Sequence, residues 1–197
     1  MSFLFFIKEG LGRAFERKKT LILLAILLCA GMVCGMLFIK TPAIYGYHLN
    51  LCDRYIDRVC YSDRNVFLIL LERFAGGMLP VCFVLVSGFH PICLVFPPIL
   101  IFYRAYTFGG SLVIFFSVYR MSGALIVFAL YLPVHLLLDA VIIIAASFSF
   151  ARAPRFCKAE LHAMLYDFLF LLVLVAAICL LEAVLLIVLF HPIGNLL

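Results

Sequence analysis

Five apolar runs, residues 20–39, 66–88, 92–118, 124–150 and 164–190, constrain this chain more than any other feature. The shortest has 20 residues, and at about 1.5 Å per helical residue that crosses the ~30 Å hydrocarbon core of a bilayer. Lipid offers no water to the backbone N–H and C=O groups, so such runs must satisfy them internally, as helices. With 68% of the residues hydrophobic and 13% charged, no polar stretch is long enough to fold as a separate soluble domain. The predicted fold is all-α: one membrane domain over residues 1–197, a polytopic helical bundle of five transmembrane helices.

An amphipathic interfacial helix is expected ahead of the bundle, over residues 2–19, where Phe3, Phe6, Ile7, Leu11, Ala14 and Phe15 recur at helical spacing among charges. Basic residues before an apolar run also mark a signal peptide. Residues 20–39, however, are long for one and lack a small-x-small cleavage site behind them, so the run is read as a retained helix.

The net charge of +5 is concentrated beside the spans. Lys8, Arg13, Arg17, Lys18 and Lys19 precede the first, and Arg152, Arg155 and Lys158 crowd the loop 151–162. By the positive-inside rule both segments face the cytoplasm, and five crossings then leave the carboxyl terminus outside the cell. This charge calls for membrane lipids as a partner, not for nucleic acid. The chain carries no GxGxxG, Walker, HExxH or GxSxG motif, and its five histidines, His48, His90, His135, His162 and His191, are dispersed. No catalytic residue, metal site or cofactor is predicted, and the chain is read as no enzyme.

Ionisable residues inside the apolar runs need a reason to be there. His135 and Asp139 lie one helical turn apart, on one face, so they are placed to bond each other or to point together at a neighbouring helix. A polar tie between helices, a proton or ion relay and a docking face for a partner helix all remain open. Pro133, just upstream, leaves a carbonyl without its usual partner. Glu72 and Arg73 are adjacent and so point in different directions, toward other helices or the interface. Arg104, in the third run, requires a counter-ion; Glu72 is the first choice and Asp139 the competitor. Glu182, within the last run, needs a partner as well. Pro97-Pro98 predicts a kinked or tilted third span, or failing that a re-entrant break. Gly31 and Gly35 form a GxxxG in the first span, a spacing that lets another backbone approach closely and also serves homo-oligomers.

Residues 41–64 are expected to be the outer loop, since Asp53, Asp57 and Asp63 balance Arg54, Arg58 and Arg64 and leave the segment free to be translocated. Cys52 and Cys60 flank its centre. A disulfide between them requires a turn, because a helix would hold their backbones about 12 Å apart.

The stretch Leu132-Pro133-Val134-His135-Leu136-Leu137-Leu138-Asp139 resembles the Leu-Pro-His-Gly-x-x-Glu signature of the stage II sporulation protein M family, with Val134 inserted, Leu136 in place of glycine and Asp139 in place of glutamate. Arg104-Ala105-Tyr106-Thr107-Phe108-Gly109 stands where that family has Asn-Gly-x-x-x-Gly, its small residues kept as Ala105 and Gly109. Length, span count and basic amino-terminal segment are similar too. The resemblance implies a divergent bacterial member without catalysis: a cell-envelope scaffold that holds cell-wall-hydrolase partners during engulfment in sporulation, its small residues serving helix packing. The rival reading is a small transporter or channel component in which Arg104, Asp139 and Glu182 line a polar path. Against it, an odd number of spans does not divide into two equivalent halves. An intramembrane enzyme lacks a nucleophile and base in suitable arrangement.

Overall fold

The computed structural model describes Glu9, Gly12 and residues 18–60, 66–152 and 160–194, all of them helical except the links at 39–41, 88–90 and Tyr119. Five segments, Lys18–Phe38, Leu70–Ser87, Pro91–Val118, Arg120–Arg152 and Ala163–Leu186, are long and apolar enough to cross a membrane. The chain is a multi-pass, all-α membrane protein. The interfacial helix expected over 2–19 and most of the loop 151–162 fall outside the described residues.

Helix α1 (Lys18–Phe38) buries little besides Leu24, Gly31 and Gly35. Beyond the polar start Lys18-Lys19-Thr20 its side chains are apolar and many of them, Leu23, Ile26, Val33 and Leu37 among others, are exposed, as a lipid-facing helix requires. After a turn, α2 (Pro42–Cys60) occupies the segment expected to be a loop. Pro42 begins it, where a missing N–H is no loss. His48, Cys52, Tyr55 and Ile56 are buried along one face while Asp53, Arg54 and Asp57 are exposed, so the balanced charges form the outer side of an amphipathic helix. Helical continuity removes the turn that a Cys52–Cys60 bridge required, and Cys52 is a free thiol.

Helix α3 (Val66–Ser87) contains Pro80. A 3-10 turn, Pro91–Val95, follows, capped by His90, whose Nδ1 accepts the Ile92 N–H at 3.3 Å. It feeds α4 (Phe96–Val118), and Pro97 and Pro98 lie in the first turn of that helix. The prolines therefore start α4 and cause neither a mid-span kink nor a re-entrant break. Arg120, the described non-glycine residue with positive φ (49°), turns the chain into α5 (Arg120–Ile126). A π-turn, Val127–Tyr131, joins α5 to α6 (Leu132–Arg152). There the Leu132 N–H reaches back five residues to the Val127 carbonyl, a register shift immediately ahead of Pro133 that accommodates the donor the proline lacks. Helix α7 (Glu160–Gly194) is the last element of the described residues.

The most extensive interhelical contact is α1 on α4. Glycine is required there by close approach. A Cβ on Gly31 would stand 2.7 Å from the Phe102 carbonyl oxygen and 2.9 Å from the Ala105 Cβ, and one on Gly35 would overlap the Tyr106 carbonyl oxygen. From the other side, a Cβ on Gly109 would overlap the Met32 carbonyl. Thus Gly31, Gly35, Ala105 and Gly109 meet in one seam, and the GxxxG face is covered by α4 of the same chain.

Two apolar cores result. One gathers Val81, Leu85, Ile142, Phe170 and Val175 from α3, α6 and α7; the other gathers Cys52, Tyr55, Phe108, Phe115 and Tyr131 around α2 and α4. The boundary is visible along single helices. On α4, Arg104 falls between Ile101 of the first core and Phe108 of the second; on α7, Glu182 falls between Cys179 and Leu185.

Candidate functional site

That boundary holds two interhelical ion pairs. Arg104 on α4 donates from Nε to Asp139 Oδ1 on α6 at 2.9 Å, with Asp139 almost fully buried. Asp139, not Glu72, is the counter-ion of Arg104. The reason is helix phase: Arg73 faces inward, and its neighbour Glu72, about 100° further round α3, lies on an exposed face. Arg73 instead faces Glu182 of α7, Nε to Oε1 3.5 Å, and its guanidinium lies 5.0 Å above the Tyr55 ring of α2. A third pair, Arg152 with Asp167, joins the end of α6 to the beginning of α7.

His135 and Asp139 share a helix face but take different partners. The His135 Nδ1 lies 3.1 Å from the Tyr131 carbonyl oxygen, which can only accept, so Nδ1 carries the proton. The ring stacks on Phe108 (5.6 Å, 16°) and lies 4.1 Å from the Tyr131 ring, which in turn meets Tyr55 and Phe115 at 5.1 Å. The aromatic stack fixes where the imidazole sits.

Two cavities open beside these groups. The one between α2, α3, α4 and α6 has a volume of ≈ 280 Å³ and includes Arg54, Arg73, Arg104, Ser111, Tyr131 and His135 in its wall. The other, toward α7, has ≈ 320 Å³ and is lined by Glu72, Arg73, Gly77, Arg104, His135 and Glu182 among others. Arg73, Arg104 and His135 belong to both. Among the described residues no three His, Cys, Asp or Glu side chains gather as metal ligands. What the arrangement offers chemically is hydrogen-bond donation from fixed cations, the property by which guanidinium groups hold oxyanions.

Beside the first cavity, α2 contributes residues that reading 41–64 as a loop misses. His48, fully buried, has Nδ1 3.4 Å from the Ser111 hydroxyl, and its Nε2 has no hydrogen-bond partner among the described residues. Burial holds the His48 imidazole below the usual histidine range. The Cys52 thiol points at the Ser111 carbonyl, 3.7 Å away, and burial pushes it up to about 12. Tyr119, at the α4–α5 link, donates to the Asp53 carboxylate and so ties α2 to that end of the bundle; burial, then this bond, raises its phenol. The signal is present in the sequence, since 48, 52, 55 and 56 follow a helical period.

No family model, curated protein or solved structure matches the chain.

Proposed function

We propose that the chain is a non-catalytic scaffold of a bacterial cell-envelope complex, similar in role to the stage II sporulation protein M family and holding cell-wall-remodelling enzymes. One observation carries this reading: Arg104–Asp139, Arg73–Glu182 and Arg152–Asp167 each bridge two different helices, so the costly intramembrane charges act as ties in the bundle. The degenerate Pro133-Val134-His135 and Asp139 signature supports it from the sequence. The amino terminus lies in the cytoplasm and the carboxyl terminus outside, by the distribution of Lys and Arg; accessibility of terminal tags to a membrane-impermeant reagent checks this. Partners engage the outer helix ends. Crosslinking in native membranes followed by purification of the tagged chain should recover wall hydrolases. Recovery of transport subunits without hydrolases would refute the scaffold.

The sharing of Arg73, Arg104 and His135 by two adjoining cavities favours a second reading, a small-solute path. Its test is flux through liposomes holding the purified chain, abolished by Asp139→Asn. Absence of flux, with assembly lost on this substitution, favours the scaffold over the path.

A further inference from the structure

We propose that the cavity between α2, α3, α4 and α6 is a binding site for a phosphate-class anion, either free phosphate or the phosphodiester of a lipid headgroup. The inference goes beyond the scaffold reading and stands whether the bundle anchors partners or passes a solute.

Its first support is the sign of the wall. Arg54, Arg73 and Arg104 arrive from three helices, and no carboxylate is among the described residues that line the cavity. The second is how those cations are engaged. An arginine offers five N–H donors. Arg104 uses its Nε toward Asp139, and Arg73, whose guanidinium also lies over the Tyr55 ring, approaches Glu182 through its Nε; neither guanidinium has another hydrogen bond or carboxylate among the described residues. Both carboxylates thus hold their arginines at Nε. The terminal nitrogens, which form the fork suited to phosphate oxygens, are left for another acceptor. Arg54 is exposed on α2 and has no ion pair with a described residue.

Charge and size narrow the ligand. The wall itself brings three guanidiniums and no carboxylate, while Asp139, Glu182 and Glu72 stand behind it or in the adjoining cavity, so the ligand the wall matches is an anion. A ≈ 280 Å³ cavity, at about 30 Å³ per water-sized group, takes about nine such groups, enough for a phosphate with a short substituent such as glycerol.

The experiment uses the full chain purified in a neutral detergent and follows thermal unfolding. Sodium phosphate is compared with sodium chloride at equal ionic strength, and phosphatidylglycerol with phosphatidylcholine. A dose-dependent rise in Tm with phosphate identifies a free anion; a rise with phosphatidylglycerol but not with phosphate identifies a headgroup; either supports the site. Arg54→Gln removes an exposed side chain and should leave folding intact while weakening the midpoint of the response about tenfold. Arg120→Gln, which removes an arginine outside the cavity wall, should not shift it. The proposal is overturned if neither phosphate nor phosphatidylglycerol raises Tm above its matched control, or if the two arginine variants weaken the response equally.

Discussion

Gly35→Ala should loosen the bundle although alanine is the better helix former. A Cβ there would overlap the Tyr106 carbonyl oxygen, and it would stand 2.9 Å from both the Tyr106 carbonyl carbon and the Gly110 nitrogen. Ordinary contact begins at about 3.4 Å and the carbonyl oxygen is the deepest overlap, so α1 must retreat by about an ångström or more, and gaps of that size forfeit up to about half of the dispersion energy of the contacts they open. The obstacle is backbone, which cannot rotate away, and places the substitution at the upper end of the ~1–3 kcal/mol cost of overpacking. Helix propensity returns at most about 1 kcal/mol. The net loss is about 2 kcal/mol, close to a 30-fold fall in the folded-to-unfolded ratio. Gly46→Ala is the matched control: Gly46 lies in α2 with nothing within 4 Å of its added Cβ, so alanine there should be neutral or stabilising by up to about 1 kcal/mol. Equilibrium unfolding of the purified variants in mixed micelles, followed by helical circular dichroism, measures both. If Gly35→Ala unfolds at the same denaturant level as the wild type or as Gly46→Ala, the close seam between α1 and α4 is not what holds α1.

Asp139→Asn strands the Arg104 guanidinium and should cost about 3–5 kcal/mol, seen as lower abundance and Tm, whereas Arg104→Met with Asp139→Leu should recover much of it. Cys52, with its thiol pushed up to about 12 by burial, should resist maleimide at pH 8 in the folded chain and react after denaturation, read by mass of the labelled peptide. Burial depresses the His48 pKa, so the unfolded chain binds the extra proton first. Its contribution to stability is therefore complete above the ordinary value near 6.5 and is lost as pH falls from there toward the folded value. Tm should drop on acidification to pH 5, and His48→Gln should flatten that slope.

How much of this is legible in the sequence follows from what lipid demands. The five spans can be read because a bilayer leaves helices as the way to satisfy so long an apolar backbone, and length alone then sets their number. That Arg104 needs a carboxylate is equally plain; which one is not, because the choice depends on the rotation of α3 and α6 about their axes. Glu72 and Arg73 are one residue apart, and only the packing of α3 shows that Arg73 takes the inward position. Pro97-Pro98 reads as an interruption when the helix is started at 92, yet a 3-10 turn intervenes and moves the helix start beside the prolines. In α2 the balance of Asp and Arg points to charge and a loop, while the period carried by His48, Cys52, Tyr55 and Ile56 is the signal the fold obeys. The convergence of Arg54, Arg73 and Arg104 on one cavity joins residues far apart in sequence and has no local signature.

The two duties assigned to Arg73 and Arg104 need not compete. A guanidinium gripped end-on by a carboxylate would spend its fork on the tie, but one approached at Nε keeps the fork for a second acceptor. An anion bound there stabilises the folded bundle by RT ln(1 + [L]/Kd), so occupancy and helix packing reinforce each other through the same side chains. The two contributions are separable because Arg54 belongs to the cavity and to no described ion pair, whereas Asp139 belongs to a pair and not to that cavity's wall. Arg54→Gln should therefore remove most of the phosphate response and leave the unliganded Tm near that of the wild type. Asp139→Asn should lower the unliganded Tm and, by freeing Arg104 from its carboxylate, strengthen anion binding. If both substitutions move both quantities in the same direction, the tie and the site are not distinct.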